Sequence, residues 1–117
     1  MSGTIIFRDY LSNFDAAPNT ASDGRPYPET LLSILLTGSN PTPNGPTRLN
    51  IRFRDPDRLA ANPTISGSDI IMDLPKHDFE MIQDMLAKSI LSDNTPMQLS
   101  ANYRTIDSKT WVTLSLR

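Results

Sequence analysis

The chain predicts an α+β domain: an antiparallel sheet of five to six strands, or a partly open barrel, with one helix packed on it. Three observations carry that expectation. Leu49, Ile51 and Phe53 alternate with Arg48, Asn50, Arg52 and Arg54, the period-two pattern of a strand with one buried face. Met97, Leu99, Ala101 and Tyr103, then Val112, Leu114 and Leu116, repeat that pattern on either side of a turn. Phe79, Ile82, Leu86 and Ile90 mark one stripe at helical spacing, with Met81 and Met85 beside it.

Taken in order, Thr4–Tyr10 is rich in strand formers (Ile5, Ile6, Phe7, Tyr10) and reads as a first strand, extending toward Leu11 and Phe14. Asp15–Thr30 holds Pro18, Gly24, Pro26 and Pro28 and reads as a long irregular loop. Its one aromatic, Tyr27, either packs back on the sheet or is presented to a partner. Leu31–Thr37 is a strongly apolar strand, expected at the centre of the sheet. Gly38–Pro46 is a turn region with Asn44-Gly45 as its reversal. It joins the leucine-rich strand to Thr47–Arg54 as a hairpin.

Asp55–Ser68 reads as irregular, with one helical turn at Arg58–Ala61. Asp69–Leu74 is a short buried strand ended by Pro75, which suits the first turn of a helix. The helix is expected over Lys76–Leu91, with Asp78 and Glu80 in its first turn and Lys88 near its last, as the helix dipole prefers. Asp93–Pro96 stops it. The ten prolines are expected outside the strands or at their ends. The strand order, with the helix before the last two strands, is compatible with an OB-like barrel.

The register of the C-terminal hairpin follows from burial. A loop of Thr105–Ser108 sets Arg104 opposite Lys109, Ala101 opposite Val112 and Leu99 opposite Leu114. That puts every aliphatic on one face, whereas a slip of one residue divides them between two. The greater apolar burial decides for the first. Trp111 then lies on the other face among Ser100, Asn102, Arg104 and Thr113. It is either covered by another segment or serves as an anchor for a partner or a stacked base.

Composition bounds the chemistry. A chain of 117 residues makes one domain (1–117), large enough to fold without staples. No cysteine is present, which excludes disulfides, thiolate nucleophiles and Cys-built zinc sites. The net charge of −2 argues against binding duplex nucleic acid through bulk charge. No apolar run approaches the ~20 residues of a membrane span, and no secretory leader is read at the start of the chain. A cytoplasmic location is the default expectation.

No P-loop, dinucleotide-binding glycine motif or nucleophile elbow occurs. His77 is the single histidine and lacks a second ligand at metal spacing. Asp55-Pro56-Asp57 lacks the oxygen ligands of a calcium loop. No catalytic residue, metal site or cofactor is therefore expected, and the chain is not expected to be an enzyme.

What remains is binding. Arg48, Arg52 and Arg54 share one strand face; this is a solvated face with Asp55 and Asp57 as partners, or a basic groove. Asp69–Asp93 carries six acidic residues against Lys76 and Lys88, a dipolar arrangement that suits protein contacts. The first expectation is a small interaction module that binds a protein partner or itself, with Trp111, Arg52, Arg54, Arg104 and Tyr27 as contact residues. The alternative is a single-stranded nucleic acid binder using an aromatic and arginine face, to which Tyr103 contributes only from the end of the sheet. A further alternative is a self-assembling subunit of a viral or phage particle.

Overall fold

The structure is a computed structural model that describes residues 1–20, 23–56, 59–60, 62–90 and 98–116. Seven strands form one sheet. They are β1 (Ser2–Thr20), β2 (Pro26–Ser39), β3 (Arg48–Arg54), β4 (Thr64–Ser66), β5 (Asp69–Pro75), β6 (Leu99–Ile106) and β7 (Lys109–Leu116). Their order is β4-β5-β3-β2-β1-β6-β7, and the edge strands β4 and β7 approach one another, so the sheet curls into a nearly closed barrel. One helix, α1 (Phe79–Ile90), follows a 3₁₀ turn at Lys76–Asp78.

The core is the inner face of that sheet. Ile5 and Phe7, Ile34 and Leu36, Leu49, Ile51 and Phe53, Ile70 and Met72, and Leu99, Ala101 and Tyr103 are all buried there. Helix α1 adds Ile82 and Leu86, while Phe79 sets its ring edge-on against Phe53 at 5.1 Å between centroids. Met85 packs beside this stripe, but Met81, expected near it, is exposed. The Tyr103 hydroxyl reaches the turn between β2 and β3, where Asn40 Nδ2 donates to it at 2.8 Å and to the Pro46 carbonyl at 2.8 Å.

The mostly-β class with one helix holds, and three expectations are corrected. First, the sheet has seven strands and is not wholly antiparallel, because β3 and β5 run parallel. The reason lies in residues 55–68, which hold β4. It turns back through Gly67 (φ +59°) into β5, so the chain returns beside β3 in the same direction. The helical turn expected at Arg58–Ala61 lies outside the described residues in part, as do Met97 and the stop at Asp93–Pro96.

Second, Asp15–Thr30 is not an irregular loop. It forms the far half of a β1–β2 hairpin that pairs without interruption from Asp9↔Thr37 to Thr20↔Pro26. Pro18 and Pro28 stand opposite each other. Two prolines facing each other exchange no hydrogen bond, so they occupy a position where the ladder makes none and both are tolerated inside strands. The tip is closed by Asp23, which accepts from the Arg25 backbone N–H at 3.1 Å and from Arg25 Nε at 2.7 Å. These bonds, backbone first, hold the Asp23 carboxyl below its usual range.

Third, the C-terminal hairpin turns on two residues, Asp107 and Ser108, at φ +53° and +64°. That mirror-image turn matches the twist of the strands. Ile106 therefore pairs with Lys109, Arg104 with Trp111 and Leu99 with Leu116. The shift from the expected pairing is even, so every side chain keeps its expected face.

A bulge at Arg8 marks where β1 leaves the barrel. Phe7 pairs with Gly38 and Asp9 with Thr37, leaving Arg8 as the extra residue. Gly38 is required there, since a Cβ would collide with the Ile6 carbonyl oxygen. Gly38→Ala is expected to cost about 1–3 kcal/mol of unfolding free energy in urea titration. Gly67→Ala, strained only by its left-handed backbone, is expected to cost about 1 kcal/mol.

Candidate functional site

Two surfaces outside the core present groups that a partner can use. The first is the outer face of β1, β6 and β7. Here Ser2, Thr4, Asn102, Arg104, Trp111 and Thr113 line a shallow groove of about 490 Å³. The register builds it: Thr4 stands opposite Asn102 and Arg104 opposite Trp111. Thr4 Oγ1 donates to Asn102 Oδ1 at 2.6 Å. The Arg104 guanidinium lies over the Trp111 ring at 5.2 Å from its centroid, and Trp111 remains 45% exposed. A cation over an exposed indole is worth about 0.5–1 kcal/mol, enough to orient the ring but not to bury it.

Arg52 and Arg54 are not brought to this groove. They lie on β3, two strands from β1 at the near side of the groove and four from Trp111 on β7, and neither lines it. The partners of the arginine stripe are also not those expected from Asp55 and Asp57. The parallel register sets Arg48 opposite Asp69 and Arg52 opposite Asp73. Arg48 grips Asp69 through Nε at 2.5 Å and Nη2 at 3.1 Å. Arg52 Nε donates to Asp73 at 2.6 Å, the Ala60 backbone N–H donates to the same carboxylate at 2.9 Å, and Arg54 Nη1 stands 3.9 Å away. The Asp73 side chain is fully buried under these groups. The stripe is thus an ion-pair ladder within the fold; Asp57 lies outside the described residues, and Asp55 faces Lys76 at 3.3 Å.

The second surface is the far half of the β1–β2 hairpin. Strand β6 pairs with β1 only over Ser2–Ile6, and β3 pairs with β2 only over Leu32–Thr37. Beyond those limits the hairpin continues as a two-stranded ribbon, with no third strand beside it among the described residues. The ribbon stretches the molecule to 49 Å and raises its radius of gyration to 15.5 Å, against about 13.4 Å for a compact chain of this length. It exposes Leu11 (56%) and Phe14 (69%), which lie on opposite faces. Tyr27 belongs to this ribbon, opposite Asn19; its side chain lies outside the described residues.

Leu11 and Phe14 are the exposed apolar residues that sequence reasoning did not single out. The usable signal was the placing of Pro18 and Pro28 at equal distances from Asp23. That symmetry is what a hairpin with facing prolines requires.

His77 is exposed, with Asp78 at 3.5 Å. Among the described residues, no group of three or more His, Asp or Glu is placed to hold a metal ion. Among them, too, no helix is long and apolar enough to cross a membrane. No family model, curated protein or solved structure matches the chain.

The ladder has a measurable signature. Asp73→Ala is expected to cost about 3 kcal/mol in urea unfolding, because Arg52 and the Ala60 amide lose their buried acceptor. Asp69→Ala, at a largely solvated pair, is expected to cost less than about 1 kcal/mol.

Proposed function

We propose that this protein is a non-enzymatic interaction module that associates with protein, another chain or its own copies, through the projecting ribbon. The observation that carries this reading is the unsupported ribbon itself. A two-stranded hairpin is marginal in water, yet this one runs past its last neighbouring strand and holds Leu11 and Phe14 in solvent. Apolar side chains on a slender extension add to stability only when another surface covers them. The reading also accommodates a self-assembling particle subunit.

The test compares two exposed apolar positions. Phe14 and Met81 are 69% and 59% exposed, one on the ribbon and one on the helix. A photo-crosslinking p-benzoylphenylalanine at position 14 is expected to capture protein, either in the purified chain or in its native cells. The same group at position 81 is expected to capture little. Equal capture at the two positions would remove the ribbon from the reading.

A second reading, binding of single-stranded nucleic acid, is favoured by the Arg104–Trp111 pair alone. An exposed indole under a guanidinium is a stacking unit for a base. The ion-paired state of Arg48 and Arg52 weighs against a continuous basic groove. Trp111 is the one tryptophan of the chain, so its fluorescence reports directly. On this second reading a short oligonucleotide quenches the emission at low salt, and added salt reverses the quenching; an unchanged spectrum excludes it.

A further inference from the structure

The two edges of the ribbon are chemically different, and the difference selects an occupant. In an antiparallel pair, residues that exchange hydrogen bonds alternate with residues whose N–H and C=O point outward. The Pro18↔Pro28 pair fixes the phase, because neither proline has an N–H to exchange. Tyr10, Ser12, Phe14, Ala16 and Thr20 therefore aim their N–H groups away from β2. Two bonds agree with this phase: the Tyr10 N–H is taken by its neighbour Asp9 Oδ1 at 2.8 Å, and the Gly38 N–H on the other strand donates away from β1, to Thr47 O at 2.9 Å.

On the outer edge of the β2 half, the outward positions are Pro26, Pro28 and Thr30. Two of the three have no donor, the usual way to blunt an edge. On the β1 edge, Ser12, Phe14 and Ala16 keep free outward amides. No lysine or arginine interrupts Tyr10–Thr20, where Asp15 is the single charge. One edge is closed to strand addition and the other is open.

We infer that the occupant of the open edge is a second copy of this chain, paired antiparallel through β1 about a two-fold axis at Phe14. This inference rests on the reading of the ribbon as the contact surface and names its partner. An edge strand pairs with its own copy antiparallel only about such an axis. With the axis at Phe14, Phe14 meets its copy and Ser12 meets Ala16 of the copy, each pair exchanging two hydrogen bonds. The next pair is Tyr10 with Pro18. Proline has no donor and the Tyr10 N–H is already held by Asp9, so the ladder ends there with no donor wasted. Asp15 falls opposite Asn13, so no like charges stand directly opposite each other. Two Phe14 rings become cross-strand neighbours, which covers an aromatic side chain that is otherwise exposed. Because the ribbon offers one open edge and a two-fold contact uses it up on both chains, the product of this pairing is a closed dimer rather than a filament.

Sedimentation velocity on the purified full chain, from micromolar to millimolar concentration, tests this. The wild-type chain is expected to dimerise. Ser12→Pro and Ala16→Pro each delete an outward N–H that β2 does not use, and symmetry deletes it twice per dimer. Each is expected to weaken dimerisation more than roughly tenfold while far-UV circular dichroism and the urea midpoint stay close to wild type. Thr30→Pro, on the blunted edge, is expected to leave the dimer intact.

A wild-type chain that stays monomeric throughout overturns the second copy as occupant, and the crosslinking at position 14 then decides separately whether the ribbon binds another protein. A dimer lost on Thr30→Pro but kept in Ala16→Pro overturns the assignment of the edge. A dimer indifferent to all three variants overturns this inference and shows self-association elsewhere.

Discussion

The pairing of β3 with β5 depends on one buried carboxylate. Asp73 lies on the outer face of the sheet, yet its side chain is fully covered, because Arg52 closes over it and the Ala60 amide donates to it. A buried charge is stable only when its partners are in place, so the carboxylate ties together the parallel register and the connection between β3 and β5. With that register fixed, Leu49, Ile51 and Phe53 meet Ile70, Met72 and Leu74 on the inner face. The helix then has a floor to pack on.

The same interaction changes what the arginine stripe means. Read along the strand, Arg48, Arg52 and Arg54 are three cations at the spacing of one face. In three dimensions they meet the carboxylates of a strand that follows in sequence and runs parallel. The strand composition is thus consistent with two opposite roles, and only the neighbour decides between them. The dipolar character read from the acidic stretch is reduced for the same reason, since Asp69 and Asp73 are engaged by arginine.

Much of the fold was legible in the sequence because burial imposes a period. The alternation in β3, β6 and β7 and the helical stripe of α1 each reported the correct inner face. Trp111 was placed on the outer face even though the turn was taken as two residues too long, since an even shift preserves sides. What escaped was everything that depends on pairing rather than period. The parallel return of β5 leaves no local mark. Pro18 and Pro28 read as loop residues because a proline's cost depends on which way its nitrogen points, and that is a property of two strands. Leu11 and Phe14 were hidden with them: three residues apart and on opposite faces, they make no period-two alternation to detect.

The bulge at Arg8 sets the phase between the two halves of β1. Before it, odd-numbered residues such as Ile5 and Phe7 face the barrel interior; after it, even-numbered residues such as Tyr10, Ser12 and Phe14 continue that side. One extra residue thus changes the numbering parity between a body and its appendage. The extra residue is absorbed at the joint: without Arg8, Phe7 would still meet Gly38 and Asp9 would still meet Thr37, so neither half of β1 would change its face or its outward amides. The joint can therefore gain or lose its spare residue without disturbing either the interior it leaves or the edge it leads to.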